Sequence, residues 1–199
     1  AAIFVARPRL VTILALVGIN LTVAVGAPYL WDHKLHDYQR RRILTFLNPD
    51  MDKLGGGYQV IQSKVAIGSG GLRGKGFLQG TQTKLAFLPE QHTDFVFSVI
   101  GEELGFTGAI TVLALFLFIV WRATQIAVLS KSRFSSLVAV GLTSILVFHI
   151  FVNVGMTIGV MPVTGLPLPF LSYGGSTLAV NMILIGLLLN IHAHRHEHY

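Results

Sequence analysis

Residues 134–194 read FSSLVAVGLTSILVFHIFVNVGMTIGVMPVTGLPLPFLSYGGSTLAVNMILIGLLLNIHAH, 61 consecutive positions without Asp, Glu, Lys or Arg. Roughly 20 apolar residues already cross the hydrocarbon of a bilayer, so a stretch of this length cannot be one element of a water-soluble core. Its middle, Met161-Pro162-Val163-Thr164-Gly165-Leu166-Pro167-Leu168-Pro169, holds three prolines and a glycine and cannot continue one straight helix. The stretch is therefore read as two membrane spans, 134–160 and 170–190, joined by a proline-rich turn.

Working outward, two further uncharged runs have the length of spans: 10–30, bounded by Arg7 and Arg9 before and by Asp32 and Lys34 after, and 95–121, which carries Glu102 and Glu103 near its start. The whole chain agrees, since 199 residues that are 52% hydrophobic and 12% charged hold about half the charge of a soluble domain. The expected fold is an all-α integral membrane protein with four transmembrane helices and one large loop, 31–94. The chain starts Ala1-Ala2-Ile3 without a methionine, and we read it as a fragment or processed product that begins just before a span.

Charge sets the expected orientation. Arg7 and Arg9, then Arg122, Lys131 and Arg133, then Arg195 fall on one side of four crossings, and the turn between the last two spans has none. By the positive-inside rule both ends face the cytoplasm and 31–94 is external; its nine basic and six acidic residues do not contradict this, because long loops are weak topology determinants. The net charge of +6 is thus assigned to topology and lipid headgroups, and no base-reading pattern accompanies it, so nucleic acid is not an expected partner. With no cysteine, disulfide and thiolate chemistry are excluded.

The external loop is too patterned to be a linker. Arg40-Arg41-Arg42 precedes Ile43-Leu44-Thr45-Phe46-Leu47, and Tyr58, Ile61 and Val65 fall at i, i+3 and i+7, so two short amphipathic helices are expected at the membrane surface. Gly68-Ser69-Gly70-Gly71-Leu72-Arg73-Gly74-Lys75-Gly76 follows, and reads as a flexible turn, with anion contact by its backbone N–H groups as the competing role. It matches neither the Walker nor the dinucleotide pattern, so no nucleotide is expected.

Ionisable residues crowd the start of the second span, in Leu88-Pro89-Glu90-Gln91-His92-Thr93-Asp94. Asp94, or Thr93, suits a helix N-cap; a carboxylate at the membrane rim also suits a general base acting on a hydroxyl held there. On a helix beginning near Asp94, Glu102 lies roughly 12 Å along the axis, too far for the ~5–9.5 Å of paired glycosidase carboxylates. Glu102 and Glu103 are read as structural acids, with a place for Glu102 in a polar cavity left open. Gly101-x-x-x-Gly105 and Gly155-x-x-x-Gly159 suggest close helix packing, and Asn153 and Asn181 interhelical hydrogen bonds. Ser172 and Ser176 sit where a broken helix start needs internal hydrogen-bond partners. The alternating His192, His194, His196 and His198 read as a solvated tail.

Three long blocks closely resemble the SEDS family of cell-wall polymerases: Gly57-Tyr58-Gln59 through Gly70-Gly71; Gly80-Thr81-Gln82 through Phe87-Leu88-Pro89-Glu90-Gln91-His92-Thr93-Asp94-Phe95 and on to Gly101-Glu102-Glu103-Leu104-Gly105; and Asn153-Val154-Gly155-Met156 through Pro169-Phe170 and Ser172-Tyr173-Gly174-Gly175-Ser176. Gln91 favours the rod-elongation branch over the division branch. Ala86 and Val96 depart conservatively from the family pattern. The resemblance implies the last four helices of a ten-helix fold in a bacterial inner (cytoplasmic) membrane, and polymerisation of lipid II into peptidoglycan strands. It implies Asp94 as the essential carboxylate, and a class B penicillin-binding protein, the transpeptidase, as partner within the elongation machinery.

Because the diphosphate is already a good leaving group, the chemistry needs a base for the acceptor hydroxyl and cations for the departing charge. Lys64, Arg73, Lys75 and Lys84 are the candidate cations, with headgroup contact as their competing role. Gln91, His92 and Thr93 are further candidate substrate contacts, and a divalent cation, Mg or Mn, is compatible with the same chemistry. A lipid II flippase and a non-catalytic scaffold of the elongation machinery are the alternative readings. The 199 residues alone are expected to be inactive, since the earlier helices contribute to the family's central cavity.

Overall fold

The computed structural model describes residues 36–49, 52, 55–81, 93–130 and 132–194, with the backbone alone for Arg41. The expected span at 10–30 lies outside them. Six helices and no strand occur among the described residues: α1 (Asp37–Leu47), α2 (Gly56–Gly70), α3 (Val96–Glu103), α4 (Gly105–Leu129), α5 (Arg133–Thr157) and α6 (Gly175–Ala193). The chain divides into two units, Ala1–Leu44 and Thr45–Tyr199, and all that follows concerns the second.

Helices α4, α5 and α6, of 25, 25 and 19 residues, are long and apolar enough to cross a membrane. At 1.5 Å per residue they reach roughly 28–38 Å, against roughly 30 Å of hydrocarbon. They meet through small side chains: Ala123 and Ala127 of α4, Ala139 of α5, and Leu184 and Leu188 of α6 form one buried cluster. Ala139 is fully covered, which lets the backbones approach as lipid-embedded helices must. Leu115, Leu117, Phe134, Leu137 and Ile183 point outward and are more than half exposed. So much exposed apolar surface fits a multi-pass membrane protein and no water-soluble one.

The expected uninterrupted span from Phe95 is not observed. The helix breaks at Leu104: α3 ends there, with the Leu104 N–H bonded to the Ile100 carbonyl, and α4 restarts at Gly105 with φ +67°. A break leaves carbonyls unpaired on one side and amides on the other, which at membrane depth must find protein partners. The glycine-rich stretch supplies both. Lys75 and Gly76 donate their N–H groups to the carbonyls of Glu102 and Glu103, both at 3.0 Å, while the carbonyls of Gly71 and Leu72 accept from Phe106 and Thr107 at 2.9 and 3.2 Å. The stretch is therefore a docked loop in which the N–H groups of Lys75 and Gly76 are occupied. Gly74 (φ +78°) is required twice over, since a Cβ there would strike the Glu103 carbonyl.

Helix α2 covers the expected Tyr58, Ile61 and Val65. Its buried face is Gly57, Val60, Ser63, Ala66 and Gly70, whereas Val65 is exposed. The face is small where it lies against α3; a Cβ on Gly70 would meet the Gly101 carbonyl. Of the two glycine pairs read as packing motifs, Gly101 does permit close approach, to Ile67. Gly105 and Gly159 (φ +75°) combine a left-handed backbone with close approach, to Gly74 of the docked loop and to Lys64 and Val60 of α2 respectively.

Candidate active site

Asp94 lies half-buried in the turn that leads into α3. The N-cap position belongs to Phe95, whose backbone carbonyl takes the first amide, from Ser98 at 3.0 Å. Asp94 and Thr93 thus precede the cap instead of forming it. Phe95 is fully buried against Ala66 of α2 and Val163 of the proline-rich segment, and this apolar anchor fixes where the chain carrying Asp94 can lie.

Helix α5 and the segment that follows it both close on Asp94. Asn153, fully buried on α5, donates through Nδ2 to the Asp94 carbonyl at 2.9 Å and to the Leu166 carbonyl at 2.8 Å. Gly165 stands at φ +73°, and a Cβ added there would come within 3.4 Å of Asp94 Oδ2. Leu166 and Gly165 therefore pass directly alongside the turn that bears the carboxylate. The rest of the segment is held from within: the Leu168 N–H donates to Ser172 Oγ at 2.7 Å, the Ser172 N–H returns a bond to the Leu168 carbonyl at 3.1 Å, and Phe170 takes φ +64°.

Glu102 belongs to a different arrangement. It is fully buried, and Oε1 accepts from Lys75 Nζ at 2.7 Å, from the Thr81 N–H at 2.8 Å and from Thr81 Oγ1 at 3.1 Å. Lys75 Nζ also donates to Thr81 Oγ1 at 2.7 Å. This network fastens the docked loop to the helix break. It also commits two of the three Lys75 donors to protein. Ser63 completes the polar layer, bonding Ser98 Oγ and the Thr157 carbonyl, both at 2.6 Å, and so joining α2, α3 and α5.

Of the other candidate cations, Lys64 is exposed, with its amino end over Gly159 just past the C-terminus of α5, and Arg73 is exposed on the docked loop. Lys84, Gln91 and His92 lie outside the described residues. Ser172 lines an open cleft of about 770 Å³ shared with Val96 and Val99 of α3 and with Phe170 and Tyr173. Ser176, in the first turn of α6, is exposed. Among the described residues no three His, Asp or Glu side chains gather as a metal-binding group. What the sequence did not reveal is the placement of Asn153 and Gly165 beside Asp94; a lone Asn on an apolar helix, read for an interhelical hydrogen bond, and a Gly among prolines were the available signals.

Comparison with known proteins gives this geometry a context. Residues 1–197 match the family model of FtsW, RodA and SpoVE, described as a cell cycle protein. The chain belongs to the FtsW/RodA/SpoVE family. It is 51% identical over 181 residues to the peptidoglycan glycosyltransferase MrdB of Escherichia coli K12, covering 90% of this chain and 49% of that protein. It is 45% identical over 173 residues to the peptidoglycan glycosyltransferase RodA of Treponema pallidum, covering 87% and 40%.

Among solved structures, it matches one on the structural coordination of polymerization and crosslinking by a peptidoglycan synthase complex, with TM-score 0.72, 38% identity, and coverage of 92% of this chain and 49% of that one. The rod shape determining protein RodA of Thermus thermophilus matches with TM-score 0.51 and 31% identity over 79% of this chain and 54% of that one. The chain spans about half the length of these relatives.

Proposed function

We propose that this chain is the C-terminal catalytic portion of a peptidoglycan glycosyltransferase that polymerises lipid II during cell elongation, with Asp94 as general base. The observation that carries the reading is the setting of Asp94: a half-buried carboxylate just ahead of a helix, held by backbone to α5 and flanked by the open Gly165 turn. In the proposed step Asp94 takes the proton from the 4-hydroxyl of the acceptor sugar. The hydroxyl oxygen bonds to the anomeric carbon of the donor while the bond from that carbon to the lipid diphosphate breaks. The electron pair leaves with the diphosphate, so no acid is needed for departure. Lys64 and Arg73 are the described cations available to the leaving charge, and Lys84 joins them by sequence. Lys75 is reassigned to holding the loop.

The partner follows by similarity: the peptidoglycan synthase complex among the structural matches is one that coordinates polymerization and crosslinking, and a class B penicillin-binding protein supplies such crosslinking. The membrane is the bacterial inner membrane, with 31–94 on its outer side. Purified protein, as the cell makes it, given lipid II with and without that partner should yield glycan strands on a gel, more with the partner. Lipid II transport across vesicles without strand formation would reject the reading in favour of a flippase. Cysteines placed at Ser69 and Ser132 should label from opposite faces with an impermeant thiol reagent, and outside labelling at Ser132 would reject the orientation.

A further inference from the structure

We infer that Asn153 is the residue that positions Asp94 for catalysis. The inference rests on the reading of Asp94 as the base and adds a residue from a different helix to that function. Both N–H groups of the Asn153 amide are spent on backbone carbonyls, that of Asp94 at 2.9 Å and that of Leu166 at 2.8 Å. One side chain thereby fixes the distance between the turn carrying the carboxylate and the segment carrying Gly165, whose open α-carbon faces Asp94 Oδ2. Asn153 is fully buried, so water does not compete for these bonds.

Its placement on α5, a membrane-length helix, references the site to the rigid bundle instead of to the loop before it. Displacements on the order of 1 Å from a reacting group cost roughly a hundredfold in rate. A tether of this kind therefore acts on turnover more than on substrate affinity.

Two variants read this. Asn153→Leu keeps the branching and the number of side-chain heavy atoms and removes both donors. Asn153→Gln keeps the donors, and with them the means to fold, but moves them by one methylene. Ser63→Ala serves as the comparator, because Ser63 also ties three helices together through two buried bonds yet touches nothing at Asp94. In the protein as the cell makes it, Asn153→Leu should lower kcat for lipid II polymerisation by about 10- to 100-fold with the apparent KM within about threefold of wild type, and Asn153→Gln should show the same split at smaller size.

Ser63→Ala should melt earlier in detergent while keeping kcat within about twofold at temperatures where it is folded. Near-wild-type turnover in Asn153→Gln, or equal losses of kcat in the Asn153 and Ser63 variants, would overturn the inference. Asp94→Asn, assayed alongside, separates the two levels. If it is inactive while the Asn153 variants turn over normally, the positioning role alone falls; if it is active, the base falls and the inference with it.

Discussion

The bundle of α4, α5 and α6 and the layer of α2, α3 and the docked loop are built on different principles. In the bundle the contacts are small and apolar, Ala123, Ala127 and Ala139 against Leu184 and Leu188, and no buried ion pair occurs in the clusters described. The loop layer adds hydrogen bonds to its apolar contacts: Glu102 with Lys75 and Thr81, Ser63 with Ser98 and Thr157, and the carbonyls of the broken helix with the glycine stretch. Apolar packing between helices tolerates small slips, whereas a satisfied polar network has one geometry and fails when a member is lost. The carboxylate lies where the two meet, its turn anchored by Phe95 in the layer and by Asn153 from the bundle.

The contrast can be broken most forcefully at Glu102. Glu102→Ala strands Lys75 and the Thr81 N–H beside a buried hole and should cost about 3 kcal/mol in detergent unfolding. Replacing the pair together, Glu102→Leu with Lys75→Met, should recover much of that loss, since apolar substitutes for a buried pair are often neutral. If the double variant is no better than the single, the charges contribute more than mutual compensation. Gly74→Ala comes next, at about 2 kcal/mol or more, because it combines a left-handed backbone with a collision at the Glu103 carbonyl. Within the bundle, Ala139→Leu should cost about 1–2 kcal/mol by overpacking. Gly141→Ala on the same helix meets open space and should stabilise by up to about 1 kcal/mol. A Gly141→Ala loss larger than that of Gly74→Ala would reverse the assignment of rigidity to the loop layer.

Sequence pattern revealed the bundle far better than the layer, and for a physical reason. Hydropathy and charge are local quantities, so the spans read at 134–160 and 170–190 overlap α5 (Arg133–Thr157) and α6 (Gly175–Ala193). Helix α5 already ends just ahead of the left-handed Gly159, before the prolines begin. The interruption at Leu104 hides inside an otherwise continuous apolar run; the buried acids and Gly105 at the head of a span were its only local marks. What stabilises that interruption sits 27 residues upstream at Lys75, and no periodicity reports a partner at that distance. The same holds at the site. Family motifs identified Asp94, while the bond from Asn153 crosses 59 residues and emerges only when α5 and the α3 turn are placed together. The N-cap reading of Asp94 failed by one position, since Phe95 ends the non-helical backbone there.

The central claim is that Asp94 accepts a proton, and Asp94→Asn tests it with the least disturbance. Asn has the shape of Asp but cannot act as a base at neutral pH. The variant should fold and melt like wild type in detergent while lipid II polymerisation falls by about 10²- to 10⁴-fold. Polymerisation by Asp94→Asn at near wild-type rate, in protein of wild-type stability, would contradict the account.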